Sequence, residues 1–332
     1  MAKLSAIFSI DLEFPIIVEC KDEDHYLYSL DHCEYHVDIE LQFMDGSPKR
    51  GYVDSDLFKK LVNKIEITVT RDVEDIPVIP TNEMGGSDFT KVSGYFKNLT
   101  KEYSDVAETY YKNLIRIVKF DLKQPFHDED NYDCDCFSNP RWSIVNGDYI
   151  GTVGFYHRVK VIPGMCENNL GAKPLRINQK QEVETKLKVN ACTELYQEIL
   201  SDAQAAIFNG DIRRAVFEMA IVCELSTKRK YFNEGGISGL AFDYFEDKGK
   251  IKVTVLELIS SVAEEALGES FKKHLPNDYV NIDYLFRCRN KVAHRGQVAY
   301  KDDSSNLIKP NHVMVKKWFS SVEALLSWLS SK

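Results

Sequence analysis

The stretch Arg287-Cys288-Arg289-Asn290-Lys291-Val292-Ala293-His294-Arg295-Gly296 sets two arginines, an asparagine and a histidine within eight residues, with Val292 and Ala293 between them. Upstream, Tyr279, Ile282, Leu285 and Phe286 recur at steps of three, three and one, the spacing of a buried helical stripe. Gly296 is a stop signal just past the histidine. The spacing therefore predicts a helix over Tyr279–His294, with the arginines and His294 on its last two turns and its other side anchored in a core.

Outward from this helix the pattern stays helical. Val315, Trp318, Val322, Leu325 and Leu329 predict a helix after it, and Val253, Leu256, Ile259, Val262 and Leu267 predict one before it. Ala215, Met219, Val222 and Cys223 mark another, opened by the turn Asn209-Gly210-Asp211 with Asp211 as its N-cap and closed before Gly235-Gly236. Val183, Leu187, Ala191, Leu195, Ile199, Ala203 and Ala206 read as one long stripe. Successive amphipathic helices with short connections imply an antiparallel bundle over residues 179–332.

The first half reads differently. Leu4–Ile10 and Phe14–Val18 read as strands, as does Tyr35–Phe43, where Val37, Ile39 and Leu41 alternate with polar residues. Lys64–Thr70 alternates in the same way, and strands are expected again at Trp142–Val145, Tyr149–Val153 and Tyr156–Ile162. Phe96, Leu99, Tyr103, Val106, Tyr110, Leu114 and Ile117 predict the one main helix of this half. Pro163–Pro174 holds a Gly/Asn-bearing linker, so the expectation is a β-rich regulatory domain over 1–165, a linker over 166–178 and the bundle beyond. The fold class is α+β.

Composition bounds the function. With 44% hydrophobic and 28% charged residues the chain has material for sizeable cores. No apolar run is long enough to cross a bilayer, and Asp11 and Glu13 interrupt the apolar start, so a cytoplasmic protein without membrane contact is expected. The eight cysteines lack framework spacing and read as reduced thiols. Charge is split: residues 1–150 carry 16 Lys+Arg against 29 Asp+Glu, a difference of −13, whereas residues 151–332 carry 26 against 22, a difference of +4. Contact with a polyanion therefore belongs to the second half.

Arg289-Asn290-Lys291-Val292-Ala293-His294, its position late in a bundle helix, and the hairpin at Asn209-Gly210-Asp211 followed by Arg213-Arg214-Ala215-Val216 and the helix through Glu218 and Glu224 together resemble the HEPN superfamily. The likeness covers about residues 180–332. It implies a homodimer whose two motifs face each other as a metal-independent endoribonuclease, in an antiviral, abortive-infection or toxin-type role. Arg289, Asn290 and His294 are then the catalytic set, Arg287, Lys291 and Arg295 the RNA-phosphate contacts, and Glu224 and Glu218 supporting residues.

The chemistry agrees with the residue types. RNA cleavage by 2′-OH attack needs a base, an acid at the 5′-leaving oxygen, and positive charge on the phosphorane. A histidine serves as base or acid near neutrality, and an arginine fork matches phosphate oxygens. One chain offers one suitable histidine, so two facing copies are needed. On an ideal helix Arg289 and His294 lie about 140° apart, whereas Arg287 is nearly eclipsed with His294; either arginine fits. The other reading is a non-catalytic bundle that dimerises while the β-rich half binds a protein or ligand.

Further clusters are weaker. His32-Cys33-Glu34-Tyr35-His36, His127-Asp128-Glu129-Asp130 and Asp133-Cys134-Asp135-Cys136 lack the paired spacings of structural zinc and read as solvated polar loops, so neither metal nor cofactor is expected. Gly85-Gly86-Ser87 is no phosphate loop, because no Lys-Ser/Thr pair follows it.

Overall fold

The computed structural model describes residues 2–20, 26–43, 50–51, 58–74, 77, 92–130, 135–144, 149–150, 173–189, 193–232, 244, 247–248 and 253–332. Its contacts divide the chain into two compact units, Met1–Cys192 and Thr193–Lys332. The chain is α+β, with a curled sheet first and helices second.

The first unit is built on β1 (Ala2–Cys20), followed by β2 (Tyr26–His32), β3 (Tyr35–Phe43), β4 (Arg50–Gly51) and β5 (Phe58–Val73). After α1 (Ser93–Arg116) and a π-helical turn at Ile117–Asp121 come α2 (Asp135–Ser138), β6 (Arg141–Ile144), β7 (Tyr149–Ile150), β8 (Leu175–Arg176) and α3 (Lys180–Leu187). The sheet runs β2–β3–β5–β1–β6–β7, with β4 on β5 and β8 on β1. Every pairing is antiparallel except that of β8.

Period-two alternation aligns one apolar face across the strands. Tyr28, Ile39, Ile67 and Phe8 stand opposite one another in turn, as do Leu30, Val37, Val69, Ala6 and Trp142. All are buried in one core with Tyr103, Ala107, Tyr110, Tyr111 and Leu114 of α1. The Tyr103 ring meets Trp142 at 5.1 Å, and Tyr111 meets Phe137 at 5.8 Å.

The two strands expected at Leu4–Ile10 and Phe14–Val18 are one. Between Asp11 and Ile16 the register against β5 slips, because β1 spends five residues where β5 moves from Lys64 to Val62. Such a bulge bends a strand and accommodates Pro15, which has no N–H for the ladder. Beyond it the buried Gln124 amide accepts from Ile17 N at 2.9 Å and donates to the carbonyls of Ile17 at 3.1 Å and Lys173 at 3.0 Å. It thus satisfies the edge of β1 just where β8 takes over at Val18.

Several expectations change. Strand β2 went unanticipated, although Tyr26, Tyr28 and Leu30 alternate with exposed residues. The stripe from Val183 to Ala206 is two helices: Val183 and Leu187 of α3 lie in the first unit's core, so Lys180–Leu187 packs there and not with the bundle drawn from residue 179. The Asn113 side chain donates to the Leu187 carbonyl at 2.9 Å and helps end α3. The strand at Tyr156–Ile162, the linker Gly164–Gly171, Gly85-Gly86-Ser87, Asp133-Cys134 and Gly235-Gly236 lie outside the described residues.

The second unit opens with α4 (Leu195–Phe208) and α5 (Ile212–Tyr231). Gly210 at φ 75° makes the turn between them, and the Asp211 carboxylate accepts from Arg214 N at 3.1 Å, as its N-cap role requires. Next come α6 (Val255–Glu257), a π turn at Leu258–Val262, α7 (Ala263–Leu267) and α8 (Phe271–His274). The unit ends with α9 (Pro276–Arg295), the small hairpin β9 (Tyr300–Lys301) and β10 (Leu307–Ile308), and α10 (His312–Ser330). Helix α5 packs against α4, α9 and α10, and α9 also packs on α10. Trp318, Phe319, Val322 and Leu325 of α10 are buried there with Met219, Val222, Ile282 and Leu285. No described helix is long and apolar enough to cross a membrane.

Two predictions follow from the first unit's interior. Gln124→Leu leaves the two buried backbone groups of Ile17 and the part-buried Lys173 carbonyl without this partner and is expected to cost about 2–4 kcal/mol, read by chemical denaturation. His127 is buried, and burial, helped by Lys119, pushes its pKa down to about 4. The unfolded imidazole binds a proton near its ordinary value of 6.5. Its contribution to stability is therefore complete above that value. It is lost as pH falls towards 4, by up to about 1.4 kcal/mol per pH unit. A denaturation series over this range should steepen with falling pH, and His127→Phe should flatten it.

Candidate functional site

Helix α9 begins with Pro276 in its first turn, where the missing N–H costs nothing. Ile282, Leu285, Cys288 and Val292 are its buried residues, at steps of three, three and four. Gly296 ends it at φ 65°, in the left-handed region that favours glycine, with its N–H on the Val292 carbonyl at 2.8 Å. His294 and Arg295 are thus held in the last turn, exposed to solvent.

The two arginines diverge. Arg289 leaves the flank of the buried stripe towards α5, where its Nη2 donates to Glu224 Oε1 at 2.9 Å. Its Nη1 donates to Asn290 Oδ1 at 3.2 Å. These contacts use two of the five guanidinium donors. The side chain is 30% exposed, and its other donors have no hydrogen bond to a described residue. An ion pair this exposed is worth about 1 kcal/mol or less; its effect is to aim the guanidinium.

Arg287 is committed elsewhere. Its Nε and Nη2 donate to the two Asp283 oxygens at 3.1 and 2.5 Å. Nη1 donates to the Lys301 carbonyl at 3.1 Å and pairs with Asp303 Oδ1 at 3.0 Å. The guanidinium also lies over the Tyr284 ring, 5.4 Å from its centre. This arginine ties α9 to the β9–β10 hairpin, which accounts for it without a phosphate. Asp283, Tyr284 and Asp303 went unnoticed in the sequence, although the i,i+4 step from Asp283 to Arg287 is a legible signal.

The remaining residues separate into two groups. His294 and Arg295 form no hydrogen bond or ion pair with any described residue, and Lys291 has no ion-pair partner among them. Glu224 is where the Arg289 reading needs it. Glu218 is not: its Oε1 takes Arg214 Nε at 2.6 Å within α5, and its other oxygen is buried without a partner. Burial raises its pKa against the pull of Arg214. Cys288, inside the motif, faces the core, and burial pushes its thiol up to about 11, so it is no nucleophile.

The weaker clusters disperse. His32-Cys33-Glu34-Tyr35-His36 is the β2–β3 turn; the His32 ring packs on Tyr110, and His36 pairs with Asp31 at 2.8 Å and Asp38 at 3.4 Å. The loop at His127–Asp130 is not simply solvated: His127 points inward, Glu129 pairs with Arg116, and Asp130 pairs with Lys112 at 3.2 Å. Among the described residues no three His, Cys, Asp or Glu side chains are grouped to hold a metal ion.

Unequal ion pairs predict unequal costs. Asp283→Ala removes a bidentate, partly buried clamp and should destabilise by about 1–2 kcal/mol. Glu224→Ala should cost no more than about 1 kcal/mol. Denaturation of the two variants side by side checks the order.

No family model, curated protein or solved structure matches the chain, so the chemistry of these side chains carries the functional reading.

Proposed function

We propose that two copies of the second unit associate as a HEPN-like bundle and cleave RNA at the ends of their α9 helices. The observation that supports this most is the partly exposed guanidinium of Arg289, held by Glu224 and Asn290 on the same helix end as the exposed His294. His294 of one copy takes the proton of the 2′-OH as that oxygen attacks phosphorus. The 5′-oxygen leaves with a proton from the partner's His294, giving a 2′,3′-cyclic phosphate and a 5′-OH. Arg289 neutralises the charge that builds on the phosphorane, the kind of contribution worth about 3–4 kcal/mol of barrier. Lys291 and Arg295 hold neighbouring phosphates, while Arg287 supports the helix from the hairpin side. With this reading comes the defence or toxin-type role that the resemblance implies.

The test is cleavage of a mixed RNA substrate in the presence of EDTA, with the oligomeric state followed by ultracentrifugation. His294→Ala and Arg289→Ala should each lower the rate by about 100-fold or more. Arg287→Ala should act mainly through stability. Cleavage that persists in His294→Ala overturns the proposal. A stable dimer with no cleavage by the wild-type chain favours a non-catalytic dimerisation module.

A further inference from the structure

A cavity of about 650 Å³ opens in the first unit between the start of α1 and the segment from α2 into β6. Its size is that of small-molecule sites. The aromatic rings of Phe96, Phe137 and Trp142 form its wall, with Phe96 and Trp142 in contact at 5.3 Å. These rings are fixed by the core itself, because Trp142 also meets Tyr103 of α1 and Phe137 meets Phe8 of β1. The wall is therefore rigid and apolar.

The polar residues of the lining include Lys97, Lys101, Ser104 and Asn139. None makes a side-chain hydrogen bond or ion pair with any described residue. Lys97 and Lys101 stand one turn apart on α1, a like-charged spacing that is unfavourable by itself. The neighbouring Glu102 is occupied by Arg71 at 3.2 Å. Two ammonium groups without an ion-pair partner among the described residues thus line one concavity in the half of the chain whose charge difference is −13. Helix α1 also starts without a side-chain cap from Val92 and without an acid in its first turn, so its own sequence does not offset its positive end.

Two ammonium groups one turn apart match a phosphate monoester, which carries about −1.5 to −2 at pH 7. A carboxylate carries one charge and is better met by an arginine fork. The rings supply a flat apolar surface for the rest of the molecule, and Ser104 and Asn139 supply hydrogen bonds. We propose that this cavity binds an aromatic phosphate monoester of the nucleoside monophosphate class, with its ring against Phe96, Phe137 and Trp142 and its phosphate between Lys97 and Lys101. The site is separate from the RNA-cleavage reading and stands whether or not that reading holds.

The experiment titrates the full chain with AMP, CMP, GMP and UMP by calorimetry and by tryptophan fluorescence, Trp142 being the fluorophore in the cavity wall. At least one of the four should bind one per chain, with saturation below about 1 mM. Lys97→Ala with Lys101→Ala should weaken it about tenfold or more, as should removal of the phosphate from the ligand. Both lysines are exposed, so the double variant should keep its circular dichroism and melting temperature. Ser104→Trp, which fills the cavity and leaves the charges in place, should also abolish binding. His294→Ala should bind as the wild type does. Absence of saturable binding by all four nucleotides overturns the proposal. So does affinity within about twofold of wild type in the double lysine variant, or loss of binding in His294→Ala.

Discussion

The rotation of α9 about its own axis governs everything at the motif. Ile282, Leu285, Cys288 and Val292 are buried on one stripe, and burying side chains of this size is worth roughly 1.5–3 kcal/mol each. Each partly exposed ion pair around them is worth about 1 kcal/mol or less. Packing therefore sets the rotation and the charged groups follow it. Once Val292 and Cys288 face inward, Arg289 comes off the flank that faces α5 and Glu224. Arg287 is left on the hairpin side with Asp283 and Asp303, and His294 is left in solvent. An apolar-to-polar change at Val292 would disturb all three at once without touching any of them.

The first unit depends in the same way on one long strand. β1 pairs with β5 for nearly its whole length, with β6 near its start and with β8 near its end. The slip at Asp11–Ile16 lets it curl without losing the apolar face. Gln124 then supplies from a side chain the backbone bonds that the curl would leave unmade. The same core that buries Phe8 fixes Phe137 and Trp142, so the cavity wall beside α1 takes its rigidity from the sheet.

Much of this is legible in residue order. The alternation in Tyr35–Phe43 and Lys64–Thr70, the stripe of α1, the Asp211 cap and the Gly296 stop are local signals, and each lies where its pattern predicts. Local signals fail where two segments join or divide. The polar gap at Asp11–Glu13 reads as a break between two strands, yet a bulge carries one strand through it. The run from Val183 to Ala206 keeps its helical period while its two parts join different units. Helical period reports which face is apolar and carries no information about which core receives it.

At the site the division is sharper. Sequence alone determined that an arginine-rich motif closes an amphipathic helix, because spacing and a terminal glycine are properties of the chain. It favoured Arg289 through the motif without excluding Arg287, which an ideal helix brings beneath His294. Only the tertiary structure gives them different surroundings, by bringing Asp283, Asp303 and the Lys301 carbonyl to Arg287 and Glu224 of a distant helix to Arg289. A guanidinium's availability depends on which acceptors surround it, and those come from segments 65 residues away in the chain for Arg289 and 14 for the Lys301 carbonyl at Arg287.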